Sequence, residues 1–423
     1  MSELLNSTEI DLINTNGYTG VLAAEQKQKA SKILETIQFP TTRTEAWKYT
    51  RLGKISNKKF SIQKGSVSDI SEHVISKDAY TIVLINGMID TSLSSTDLPE
   101  GVICSSIKDT ISTEKLNSLV GKNLKLENEI FHSLNTQNAL DGSILLIKEK
   151  TILEKSIQLI HILTGEHTIS NVRNLIVSEK NSQAHIIQGF FSENATESFT
   201  NSVTEIFVEE NAHLTLDKIQ FEDDSCYQVS TEQVEQAKNS TFTINTITLN
   251  GALVRNNLNI KVIGQNCCTN LNGAYLLKGN QHVDNHTMVD HIAAHCESHE
   301  LYKGVVNDKS TAVFNGKVFV RKDAQKINAF QSNANVLLSD DATINSKPEL
   351  EIYADDVKCS HGSTTGQLDE EAVFYLRARG LSEKSARKLM ISAFIDDVIN
   401  KIENKEVKAF VFGLLQKRFD WEI

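Results

Sequence analysis

The pattern of apolar and polar positions changes style twice along the chain. Residues 1 to about 70 read as polar and helical. Residues 25–39 (EQKQKASKILETIQF) carry apolar positions at helical spacing and stop before Pro40, and residues 41–52 (TTRTEAWKYTRL) form an amphipathic segment around Trp47. From about Ala79, short runs of Ile, Val and Leu take over, as in TIVLINGMID and ILLIKEKTILEKSIQLIHIL, broken by Asn-Gly, Asp-Gly or charged turns. NLIVSEK, VTEIFVEE, TFTINTITLN, LNIKVIG, KVFVRK, NVLLSDD and ELEIYADD continue that texture to about residue 360, with hardly a long amphipathic helix among them.

After Gly366 helical spacing returns. Residues 369–379 (DEEAVFYLRAR) place acids in a first turn and arginines in a last one, where they suit the helix dipole, and Gly380 can stop the helix. Ser382 can cap a second helix from Glu383 to about Ile402, with Ala386, Leu389, Met390, Ala393, Phe394 and Val398 on one stripe. Residues 406–418 form a third, carrying Val407, Phe410, Val411, Leu414 and Leu415.

A weak repeat organises the middle. Ala184-His185-Ile186, Ala212-His213-Leu214 and Ser240-Thr241-Phe242 each follow a polar turn (KNSQ, EEN, AKN). Ala184, Ala212 and Ser240 are 28 residues apart, and Cys267 follows 27 later. A strand, a polar turn and another strand per unit at that period mark a solenoid, in which each rung completes its apolar core only against its neighbours. Two successive antiparallel sandwiches are the alternative. The expected organisation is an N-terminal helical domain at 1–78, a β-helix core at 79–362 and a C-terminal helical domain at 363–423. Unpaired strand edges at a solenoid's ends invite aggregation, so the flanking helices or a partner must cover them.

Composition narrows the function classes. About 40% of the 423 residues are hydrophobic, enough for a sizeable core, and the net charge of −11 comes without a basic stripe. Binding to nucleic acid or to an anionic membrane is therefore not expected. The opening MSELLNSTEIDLINTNG lacks an apolar h-region, and no run of about 18 apolar residues occurs, so neither a signal peptide nor a spanning helix is expected. The six cysteines (104, 226, 267, 268, 296 and 359) are scattered and make no disulfide framework, which points to a reduced, cytoplasmic protein. There is no GxxxxGK[ST], no GxGxxG after a strand, no GxSxG, HExxH or CxxC. The chain is thus not expected to be an ATPase, a common hydrolase, a zincin or a thioredoxin.

Two constellations could carry chemistry. His282, His286, His291, His295 and His299 crowd into eighteen residues beside Asp284, Asp290, Cys296 and Glu297. In a helix, His291, His295 and His299 would line up to bind Zn or Fe. On a strand, residues four apart lie about 13 Å apart, and the same histidines would line turns and ladder between rungs. The second is Cys359-Ser360-His361-Gly362, which ends the strand-like run LEIYADDVKCSHG. Alternation turns Val357, Cys359 and His361 to one face, with thiol and imidazole about 7 Å apart at Cα. They make half of a four-ligand site, suited to a transient or intersubunit metal or sulfur site, or else a small buried thiol and a capping histidine.

The stretch from about Tyr302 to Ala393, and ADDVKCSHGSTTGQLD within it above all, resembles the SufB/SufD family of iron–sulfur cluster assembly scaffolds; FPTTRTEAWKYTRL, residues 39–52, is similar to the N-terminal motif of the SufD branch. The resemblance implies a right-handed parallel β-helix flanked by helical domains. The SufB branch has a glutamate-rich, EHEA-like stretch where this chain reads Cys359-Ser360-His361-Gly362, and a sulfur-handling cysteine in the segment matching 324–339, where this chain has none; the SufD branch fits better. By this resemblance, His361 lies at the interface with a SufB-like paralogue where the nascent cluster forms, and Cys359 matches a cysteine of the same motif. Residues from about 368 to 402 match the region that docks a SufC-like ATPase.

The resemblance also implies no catalysis by the chain alone and no tightly bound cofactor, only transient iron or an iron–sulfur cluster in the complex. A homodimer in isolation is a further expectation. The competing readings are a carbohydrate-active β-helix enzyme, a polysaccharide lyase or hydrolase, and a surface adhesin. An enzyme of that kind would show an aromatic, acidic cleft along the solenoid, whereas aromatics are only 6% here and both tryptophans, Trp47 and Trp421, are expected outside it.

Overall fold

The computed structural model describes residues 12–110 and 114–419; Trp421 lies outside the described residues. Strands run alternately into two sheets, one of nine and one of ten, so that each strand pairs in parallel with the one two places along the chain. The result is a β-solenoid of about eight turns. Among the described residues, antiparallel pairing occurs only at its N-terminal start, where Tyr80–Ile85 meets Met88–Asp90 and Val102–Ser106 meets Ser143–Ile147. The first of these turns on Asn86-Gly87, both at positive φ, the backbone a tight hairpin demands. Two antiparallel sandwiches are thereby excluded.

The polar turns set the rungs. Asn181, Asn211, Asn239 and Asn266 each adopt the left-handed conformation, with φ from 56° to 58°, and a ladder of side-chain amides joins them at 2.9–3.1 Å. Asparagine tolerates that conformation better than other residues with a Cβ. Just past this ladder Ala212, Ser240, Cys267 and Cys296 stack in register at one buried position. Ala184 does not belong to that column: it pairs with Leu214, and Leu214 with Phe242, giving steps of 30 and 28. The expected alignment was two residues out at this rung, a slip that leaves every side chain on its proper face because the strand period is two.

Small residues at alternate positions let side chains fill the lumen, whose core runs from Ile82 to Ala354. The N-terminal region is less helical than its spacing suggests. The first helix is Ala24–Leu34, ending five residues short of expectation, and residues 41–52 form a 3-10 turn, Glu45–Trp47, with the helix Gly53–Ser56 following. Thr36, Ile37 and the residue before Pro40 all disfavour helix there. Trp47 is instead buried 5.5 Å from Phe131. Phe131 sits on Ile130–Asn138, a helix buried almost all round although six of its nine residues are polar, a composition that does not announce a core helix.

The N-terminal segments pack on the outer face of the nine-stranded sheet. The C-terminal helices Glu370–Ala378, Glu383–Ile399 and Lys405–Phe419 follow the solenoid, and the last two lie against the outer face of the ten-stranded sheet. Ile391, Ile395, Val398, Val407, Val411 and Leu415 are buried against that face, while Leu389 and Ala393 of the expected stripe are exposed. Residues 389–394 (LMISAF) are apolar on more than one side, and packing against the sheet selected the isoleucines. Both helical regions therefore cover flanks. The C-terminal end of the solenoid, formed by the edge strands Thr343–Ile352 and Val357–Gln367, stays open: every described residue on it is half-buried or exposed.

Candidate functional site

Cys359 and His361 lie on the strand Val357–Gln367, the last of the ten-stranded sheet. Its register sets Val357 over Ile327, Cys359 over Ala329, His361 over Gln331 and Ser363 over Asn333. Because residues two apart share a face, this whole set continues lumen columns to the open end. Val357 and Cys359 pack against the lumen core, and burial raises the Cys359 thiol's pKa. His361, two residues on, is exposed.

Beneath His361 the lumen turns polar. Gln331 is buried and donates from Nε2 to Glu300 Oε2 at 2.6 Å, and Thr287 donates to Glu300 Oε1 at 2.5 Å. Burial pushes the Glu300 carboxyl up to about 7, the two donors opposing it. Beside them Ser346 donates to Asn333 and shares a 2.7 Å hydrogen bond with Ser363. Glu300 and Gln331 were not singled out by the sequence; their signal was a polar residue at a lumen position, legible only once strand and register are known.

The five histidines do not converge. A strand, a turn and a second strand run through them, so the helical row of His291, His295 and His299 does not exist. His282 Nε2 lies 2.8 Å from Thr50 Oγ1, His286 Nε2 lies 3.1 Å from Asp284 Oδ1, and His291 Nε2 lies 3.0 Å from Ser298 Oγ in the buried interior. His295 takes the left-handed turn position after Asn266, and His299 stacks on Phe330 at 5.7 Å. Among the described residues, no three His, Cys, Asp or Glu side chains are gathered so as to hold a metal ion.

The TEAWKYT segment clamps the N-terminal region to the nine-stranded sheet. Arg255 covers the Trp47 ring at 4.3 Å and pairs with buried Asp284, which also accepts from Thr50 at 2.5 Å. Farther along the same sheet Glu45 pairs with Lys347, on the last strand but one. On the C-terminal helices Phe374, Tyr375 and Leu389 stand 71%, 57% and 50% exposed, with the Arg379 guanidinium over the Tyr375 ring at 4.9 Å. No helix among the described residues is long and apolar enough to cross a membrane.

The fold is a parallel solenoid whose open end bears Cys359 and His361, and comparison with known sequences gives its class. Residues 161–394 match the SufBD core domain of the SUF system for FeS cluster assembly, and residues 7–159 match the SufBD protein N-terminal region. The chain belongs to the SufBD family. It is 33% identical over 428 residues to an iron–sulfur cluster assembly SufBD family protein of Synechocystis, covering 95% of this chain and 94% of that one. It is 30% identical over 405 residues, 94% of each, to the iron–sulfur cluster assembly protein SufD of Escherichia coli. Within the family, the protein is SufD-like and serves SUF-system iron–sulfur cluster assembly.

Proposed function

We propose that the chain is a non-catalytic, cytoplasmic scaffold subunit that meets a SufB-like paralogue through the open end of its solenoid, with iron or a nascent cluster held transiently at that junction. The observation that carries this reading is the placement of Cys359 and His361 on an uncovered edge strand. An edge strand offers a row of unpaired backbone groups, and a paralogue with the same solenoid supplies a matching row. A neutral imidazole suits Fe(II), and a thiol two residues along gives a second ligand. Two ligands leave the site incomplete, so the partner supplies the rest. Iron and sulfide are here cargo, and no resident cofactor is required.

The second contact in this reading is a SufC-like ATPase at the C-terminal helices, supported by the exposed Phe374, Tyr375 and Leu389. ATP hydrolysis there moves the subunits and opens or closes the shared site. Family membership leaves the polysaccharide lyase or hydrolase reading without support. The test is co-expression with the paralogue and the ATPase, followed by affinity capture and iron and sulfide analysis. A stable complex carrying both elements is expected, together with no ATP turnover by the isolated chain. An isolated chain that captures neither partner overturns the proposal.

A further inference from the structure

The column beneath His361 holds one oxygen that the fold leaves unused. Gln331 is 3% exposed, and its Nε2 is committed to Glu300, yet its Oε1 is buried with no hydrogen-bond partner. A buried amide oxygen without a donor is costly, so such a group calls for a reason. The side chain has little freedom to turn away. A glycine on the preceding strand, in the opposite sheet, makes room for it: a Cβ on Gly316 would lie 2.2 Å from Gln331 Nε2. Glu300, fixed by Thr287, holds the amide's nitrogen end. The residue in register with Gln331 on the open side is His361.

We propose that Gln331 is a positioning residue for His361: its Oε1 accepts the ring N–H when the imidazole folds over the lumen mouth, which fixes the tautomer and turns the other ring nitrogen toward the shared site. A neutral imidazole has one N–H and one lone pair, so committing the N–H inward makes the outward nitrogen the ligand. Metal-binding histidines commonly owe their orientation to such an acceptor, and losing it costs about 10–100-fold in metal affinity. Glu300 acts one step further back, holding the amide so that its oxygen, not its nitrogen, faces His361. This inference rests on the assignment of His361 to the shared site.

The experiment is a double-mutant cycle on the full chain in its complex with the SufB-like paralogue. The variants are Gln331→Met, which keeps the volume and removes the acceptor, His361→Ala, and both together. Binding of Fe(II), and of Co(II) as a spectroscopic stand-in, is titrated, and a thermal melt of each complex reports on folding. Gln331→Met is expected to weaken binding about tenfold or more and to change the visible Co(II) spectrum, while adding nothing in the His361→Ala background. A full-sized effect of Gln331→Met in that background overturns the inference, because Gln331 then acts through packing. An effect of His361→Ala with none from Gln331→Met also overturns it, leaving the shared site intact. A complex in which His361→Ala binds Fe(II) normally removes the site assignment itself, and the inference with it.

Discussion

At the scale of single residues, what matters is whether a polar side chain has its own partner or awaits one. His282, His286 and His291 have theirs within this chain, whereas His361 stands exposed on an edge. His361→Ala is therefore expected to leave the melt within about 0.5 kcal/mol of wild type while lowering iron and sulfide in the purified complex strongly. Cys359→Ala should be milder, since its thiol also serves as a small packing group. His291→Ala, which empties a buried site, should lower stability more than cluster content. A His361→Ala complex with normal yield and normal cluster content would return that residue to a structural role.

Glu222 gives a separate test of the interior. It accepts from Thr200 at 2.5 Å, its second oxygen is buried without a partner, and burial pushes its carboxyl up to about 8 from an ordinary 4.5. A carboxyl whose pKa rises on folding stabilises the fold below the unfolded value and loses that contribution as pH climbs through the folded one. Wild-type stability should thus decline from about pH 4.5 to 8 through this group, and Glu222→Gln should remove that slope. Denaturation at pH 5 and pH 9 reads it: the variant's advantage must grow with pH, and a constant difference refutes the assignment.

At the scale of elements, the turn ladder and the helices make opposite demands. Asn239 is left-handed and sits mid-ladder between Asn211 and Asn266. Asn239→Ala loses the ladder and strains the backbone by about 1–2 kcal/mol, whereas Asn239→Gly loses the ladder alone. The glycine variant should melt higher than the alanine variant. The C-terminal helices instead present two faces. Removing everything after Gly366 would strip the cover from Ile219, Ile247 and Val305 as well as the docking surface. Replacing exposed Phe374 and Tyr375 by alanine separates the two. Folding should survive, and capture of the ATPase should fall at least tenfold; unchanged capture would move the docking surface elsewhere.

At the scale of the whole molecule, the flanking helices cover the two sheet faces and leave the C-terminal rung bare. A solenoid grows by adding strands to an open end, so its last rung is a template for another chain. The isolated protein should accordingly self-associate through this end at high concentration, and the paralogue should displace that dimer; sedimentation with and without the paralogue reads the exchange. A dimer unaffected by the paralogue would locate the two contacts on different surfaces.

The rung, the period near 28 and the face shared by Cys359 and His361 were legible in the sequence because they depend on neighbours along the chain: turn residues at fixed offsets and a strand period of two. The resemblance added the family. Three things waited for the tertiary structure. The two-residue slip at Ala184 could not be seen, since either alignment buries the same face. The buried helix Ile130–Asn138 reads as a polar segment, since six of its nine side chains are polar, and only the packing shows that nearly all of them are buried. The column Glu300, Gln331, His361 joins residues 31 and 30 positions apart, and only the stacked register decides which side chain lies over which. Local chemistry writes the strands and turns into the sequence, but partners across rungs are chosen by loop lengths that vary from one turn to the next.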